Sequence, residues 1–286
     1  MRDFSRRLKK VGKAYIQALN RIPVTLAVNA RYEYQLNPFI LAQVLDDASI
    51  MVDAALMEGG SDSNWFTSAY IEVAVARGAA QAFANLSQQS PAYEAETESL
   101  RELLMSDPYQ RRMAMVYARQ FEEMKGMTAA VKRNMARVLT DGIGRGLGTR
   151  EVAKNLREQA GIESRRANTI ARTEITTALR RARWDEADEA TASLGLRIKL
   201  LHISALSPTT RRTHALRHGH LYTSDEVREW YATGSNAINC KCSQVEVLVD
   251  EKGNPLNPDV IEKARKTFNS QWKKLATNKS HCHCCI

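Results

Sequence analysis

The residues best suited to site chemistry in this 286-residue chain are its histidines and cysteines, and they are gathered at one end. The first 201 residues contain neither type. RRTHALRHGH, residues 211–220, then carries His214, His218 and His220; NCKC follows with Cys240 and Cys242, and the chain ends in HCHCCI. Imidazole nitrogen and thiolate sulfur are the donors that zinc takes in a closed tetrahedral site, so this clustering marks a candidate metal centre. Two other readings compete: disulfide bonding, and ordinary packing of cysteine and histidine in a core. Disulfides are disfavoured. No segment reads as an export signal to an oxidising compartment, and Cys240 is too near Cys242 to bridge without strain.

The expected ligands of a structural zinc are His214, Cys240 and Cys242, followed by His218. Spacing alone leaves the set open. Alternate residues on a strand share a face but are not pinched together by a turn, as they would be in a Cys-x-x-Cys knuckle. His214 and His218 are four apart and suit one helical face, whereas His218 and His220 suit an extended segment. The tail, His281 to Cys285, is either a source of a fourth ligand or a frayed end.

These residues need elements to position them, and composition bounds what those elements are. A hydrophobic fraction of 44% and a charged fraction of 26% describe a folded globular chain. No apolar run approaches the roughly 18 residues needed to span a bilayer, and the basic opening is not followed by a signal-peptide core. The sequence thus points to action in a cytoplasm or in something assembled there. The net charge is +9. From Gln110 to Arg183 there are 17 Lys/Arg against 7 Asp/Glu, a local excess of +10. Such a stretch is either a solvated helical surface or a surface that lives beside polyanion, binding phosphates without reading sequence.

The predicted fold is α+β and predominantly α. It is a multi-helix N-terminal body with a small mixed α/β C-terminal module beginning near residue 190. Asn37-Pro38 predicts a capped helix start, and the run after it stops at Gly59-Gly60. SQQSPAYEAETES predicts a surface loop. The glycines of GIGRGLG resemble a phosphate loop only superficially, since a helix rather than a strand precedes them and no Gly-Lys-Ser/Thr follows. They predict a break between two helices, the second started by Thr149. LRIKLLHISAL and QVEVLVD read as strands, and Thr223 with Glu226 predicts a capping box.

Three ordered elements together carry a family resemblance: Ala171-Arg172-Thr173-Glu174, then TTRRTHALRHG with Thr210, His214 and Gly219, then Cys240-Lys241-Cys242. The chain resembles the phage head morphogenesis family, the Mu F-like minor capsid proteins, over roughly residues 130 to 250. That family shows Asp where this chain has Ser207 and His218, and Arg where it has Thr209. The missing carboxylates make a ligand role for His218 more plausible. The implied organisation is a helical docking region, residues 1–128, and a head-morphogenesis module, residues 129–286.

What the resemblance implies is a non-enzymatic minor virion protein of the capsid interior near the portal, assembled in a bacterial cytoplasm. Its partners would be the portal protein, the major capsid or scaffold protein, and double-stranded DNA, with no membrane in the assembled head. Arg165, Arg166, Arg180, Arg181 and Arg183 are the expected DNA contacts. Arg172 and Glu174 are two apart, so they point to different helix faces and make no catalytic couple; a structural ion pair or module contact is expected of them. The alternative is a metal-dependent nuclease or another DNA-processing enzyme, such as an ADP-ribosyltransferase. Thiolate ligands and the absent acidic positions weigh against the first, and the lack of a paired-glutamate motif in a strand against the second.

Overall fold

The computed structural model describes residues 2–26, 31–35 and 37–279, with side chains to Trp272. In chain order, α1 (Arg2–Asn20) leads to a short hairpin, β1 (Val24–Leu26) and β2 (Tyr32–Tyr34), in which Val24 faces Tyr34. Then comes α2 (Pro38–Leu56), whose Asn37 side chain accepts the Ile40 N–H at 2.8 Å as the Asn-Pro pair predicts. Gly59, at φ +90°, turns the chain out of that helix. A π-helical turn at Thr67–Ile71 leads into α3 (Glu72–Gln89), followed by α4 (Pro91–Glu96) and α5 (Leu100–Met105). Two long helices follow, α6 (Asp107–Gly144) and α7 (Thr149–Leu194). The C-terminal part runs β3 (Ile198–Ile203), α8 (Arg212–Leu216), β4 (Leu221–Tyr222), α9 (Ser224–Ala232), β5 (Ser243–Leu248) and α10 (Asp259–Lys279).

The predominantly α, α+β class is borne out, with ten α-helices and two small antiparallel sheets among the described residues. Two local expectations change. The hairpin β1–β2 interrupts what reads as continuous helix. The expected loop after Gln89 is mostly the helix α4, because Ser90 caps it by accepting the Tyr93 N–H and Pro91 presets its first turn. The glycine-rich break behaves as expected: Gly146 takes φ +66° and α7 starts at Thr149.

The chain packs as two compact units, residues 1–69 with 113–172, and residues 70–112 with 173–286. Neither is a contiguous stretch, so the expected segments 1–128 and 129–286 do not coincide with the packing units. The reason is helix length: α6 and α7 each contribute to both. In the first unit, α1 buries Phe4, Leu8, Val11, Tyr15 and Leu19 along one face, with Phe4 edge-on to Trp65 and Phe66.

In the second unit the sheet order is β4-β3-β5. One face, with Leu201 and Val247, packs on Ile261 and Ala264 of α10. The other, with Leu200 and Cys242, packs on Trp184 of α7 and on Val227 and Tyr231 of α9. The edge strand β5 is covered by α3. Asn85 and Gln89 donate to the Glu246 backbone carbonyl at 2.7 and 2.9 Å, and the Gln89 side-chain Oε1 accepts the Leu248 N–H at 3.2 Å. Those amides satisfy backbone groups that a bare edge would expose.

Candidate metal centre

Three chain segments converge above the inner face of the sheet. The first is α8, which places His214 in its middle. An Arg211 clamp fixes the second, the loop before β5: its guanidinium donates to the carbonyls of Ser235, Asn236 and Ile238 at 2.6, 3.0 and 3.2 Å. That loop turns through Asn239, a non-glycine at φ +51°, whose N–H donates to Thr173 Oγ1 at 2.9 Å. The turn delivers Cys240 and Cys242 inward. The third is the end of β3, where the Ser204 hydroxyl lies 3.7 Å from Cys242 Sγ.

His214 Nδ1 lies 3.4 Å from Cys240 Sγ and 3.6 Å from Cys242 Sγ, and the three donor atoms all lie within 4.8 Å of one another. All three residues are buried. With bond lengths of about 2.3 Å to sulfur and 2.0–2.1 Å to nitrogen, the N···S edge of a zinc tetrahedron is about 3.5 Å. The observed separations fit that edge. The group can hold a metal ion, as expected of His214, Cys240 and Cys242.

The electrostatics prepare the sulfurs for this. The hydrogen bond from the Cys242 thiol, opposed by burial and reinforced by His214, the Cys242 N–H and the Arg180 charge, holds the Cys240 thiol far below its ordinary range. The same bond, together with burial, pushes Cys242 upward. The two thiols are thus electrostatically coupled, and the charges and hydrogen bonds around Cys240 favour its thiolate, the form a metal takes. Both cysteines are free of disulfides.

His218 is not brought into the group. Its Nδ1 accepts the Ser204 N–H at 3.0 Å, and its ring stacks on Phe268 of α10. The one-turn α8 ends before it reaches residue 218, so the two histidines do not share a helical face. The tail histidines and cysteines, His281 to Cys285, lie outside the described residues.

Other expectations are redistributed. Arg165, Arg166 and Arg181 are exposed on α7, but Arg180 and Arg183 are buried and are corrected as DNA contacts. Arg180 lays its guanidinium 4.1 Å from the centre of the Tyr231 ring, and Arg183 pairs with Glu246. This buried ion pair lies about two and a half to three turns beyond Glu174 and Arg172, where the helix faces the sheet. Within the Ala-Arg-Thr-Glu motif, Thr173 makes a contact to the C-terminal module by accepting the Asn239 N–H.

Sequence reading also missed the polar layer beneath the centre. Gln244 accepts the Trp184 indole N–H at 3.1 Å and donates to Tyr231 Oη at 3.1 Å, with His202 Nδ1 at 3.2 Å. Trp230 stands edge-on to both His202 and His214. The alternation of Cys242, Gln244 and Glu246 on one face of β5 was the available signal, since three polar residues on the side facing a core must find partners.

Residues 133–245 match the family model described as Phage Mu protein F like protein. This region is similar to the Mu F-like proteins. The match contains His214, Cys240 and Cys242 together with the Ala-Arg-Thr-Glu motif, and it bears out the expected resemblance to the Mu F-like phage head proteins. No curated protein and no solved structure matched the chain. Among the described residues, no helix is long and apolar enough to cross a membrane.

Proposed function

We propose that this chain is a minor head protein of a phage, lying inside the capsid near the portal and acting in procapsid assembly, DNA packaging or DNA delivery. The observation that carries the reading is the Mu F-like match, which encloses the convergent His/Cys/Cys group. Its partners on this reading are the portal protein, the major capsid or scaffold protein, and double-stranded DNA. The exposed Arg165, Arg166 and Arg181 supply positive charge for the last of these.

The metal would be a structural zinc held by His214, Cys240 and Cys242, with a fourth ligand from outside this trio. Zinc supplies a cross-link there, joining α8 to the entry of β5 in a module of modest core. Burial supports this over a nuclease: His214 is 2% exposed, so neither attacking water nor a DNA phosphate has a route to its imidazole. No catalytic role is assigned. Peptide mass spectrometry of purified particles and of procapsids tests the reading. The chain should be present at a few copies relative to the major capsid protein, and disrupting its gene should leave heads malformed or poor in DNA. Its absence from both particle types would refute it.

A further inference from the structure

The first unit holds a groove, apart from the candidate metal centre, whose α7 wall lies within the family match and whose α1 wall lies outside it. Helix α1 and the first half of α7 approach closely at Gly12, where an added Cβ would lie 3.1 Å from Ala160 Cβ. Two adjoining pockets of about 630 and 790 Å³ open between the helices, the larger lined by that contact, and they share Ser5, Lys9 and Lys13 in their walls. Arg2, Lys9, Lys10 and Lys13 project from α1, and Arg157 and Arg172 from α7. Arg6 also lines the groove and pairs with Asp3. Among the described residues that line the pockets, none is acidic.

Lys9, Lys10, Lys13 and Arg157 are exposed and have no ion-pair partner among the described residues. Like charges held together in this way repel, and a bound polyanion relieves the repulsion. Residues 2, 6, 9 and 13 recur at helical spacing on one face of α1 and span about 16 Å at 1.5 Å per residue, the rise of about five phosphates along one DNA strand at 3.4 Å each. Small neutral groups, Ser5, Ser164, Gln17 and Asn168, lie between the charges, as they do where proteins contact sugar and phosphate. The lining has no aromatic ring on which an unpaired base could stack, and Ile16 is its one large apolar side chain.

We infer that the α1–α7 groove is a sequence-independent seat for the phosphate backbone of duplex DNA. This rests on the proposed DNA association and moves its main site from the arginines of residues 165–183 to a groove floored by Gly12 and Ala160. The charge comes from two helices, so a backbone lying in the groove is held from both sides.

Fluorescence anisotropy with a labelled 30-base-pair duplex and the full chain tests the assignment. The variants are Lys9→Ala/Lys13→Ala/Arg157→Ala and, for comparison, Arg165→Ala/Arg166→Ala, each checked for an unchanged thermal melt. Wild-type affinity should fall steeply with salt. Loss of three contacts should lower the slope of log K against log salt by about 2.7, shrinking the affinity change between 50 and 200 mM salt by about 40-fold. The Arg165/Arg166 variant should lose less. A groove variant with the wild-type slope overturns the assignment while leaving DNA association intact. A wild-type chain that ignores duplex at 50 mM salt overturns both, and leaves the head-protein reading to be decided by virion content. If the groove variant loses binding to poly-glutamate but not to duplex, the groove serves an acidic protein and the inference fails.

Discussion

Arg183 and Glu246 form a bidentate ion pair between α7 and β5, with Arg183 Nε donating to Glu246 Oε1 at 2.8 Å and its terminal nitrogen to Oε2. Both side chains are almost wholly buried, at 8% and 0% exposure. Asn85 adds a third donor to the carboxylate at 3.0 Å. Removing one partner of such a pair leaves a buried charge uncompensated. Arg183→Met should therefore lose roughly 3–5 kcal/mol in urea unfolding. Adding Glu246→Gln should recover part of that loss, because the stranded charge goes with it. Two independent losses that simply add would show that the residues do not act as a pair.

Helix α3 reaches α7 through Gly78. A Cβ there would meet the Leu179 carbonyl oxygen at 2.3 Å and Ala182 Cβ at 2.9 Å, both belonging to the packed helix rather than to a flexible side chain. Gly78→Ala should destabilise by roughly 1–3 kcal/mol through overpacking. Gly126 sits in α6 with nothing within 4 Å of such an atom. Gly126→Ala should instead stabilise by about 0.5–1 kcal/mol through the lower helix propensity of glycine. Thermal unfolding of the two variants should move in opposite directions.

Much of this organisation is legible in the sequence because it is local. Asn37-Pro38, the Thr223/Glu226 capping box and the Gly142–Gly148 break each act through neighbours within a few residues, and each forms as read. The capping box is complete, with the Glu226 carboxylate accepting the Thr223 N–H at 2.7 Å and Thr223 Oγ1 accepting the Glu226 N–H at 3.2 Å. Convergence of His214 with Cys240 and Cys242 is legible in part, since donor type limits the candidates.

What escapes the sequence is which face a long helix buries. Arg180 and Arg183 are indistinguishable by type from Arg181, yet the first two lie over the sheet and the third is exposed. That choice is made by partners distant in sequence, Tyr231 for Arg180 and Glu246 for Arg183. His218 fails as a ligand for a related reason. The chain turns at Gly219, φ +77°, and the residue before it is carried to the α10 side.

Metal content follows from the donor set. Purified chain analysed for total metal should carry about one zinc, and either Cys240→Ser or Cys242→Ser should lose it, since the hard hydroxyl replaces a thiolate ligand. His218→Ala should keep it, because His218 points at Phe268. Stripping the ion with a strong chelator should lower the melting temperature of the wild type and leave that of Cys240→Ser unmoved. Equal zinc in wild type and both serine variants would remove the trio as its site.

Acid should act on this module through His202. Burial, reinforced by the Arg217 charge and by His214 and His218 and opposed only by Cys240, lowers the His202 pKa to about 3. In the unfolded chain it titrates near 6.5. Between those values the unfolded state binds the proton and the folded state does not, so protonation favours unfolding. The stabilisation from a neutral His202 is fully present above about pH 6.5 and drains away toward pH 3, by at most about 1.4 kcal/mol per pH unit. His202→Gln removes that dependence while retaining a polar side chain beside Gln244. Urea unfolding of the two proteins at pH 7, 6, 5 and 4 should show the wild type losing its advantage over the variant step by step as the pH falls. A difference that stays constant across the series would mean that His202 is protonated to the same extent in the folded and unfolded chain.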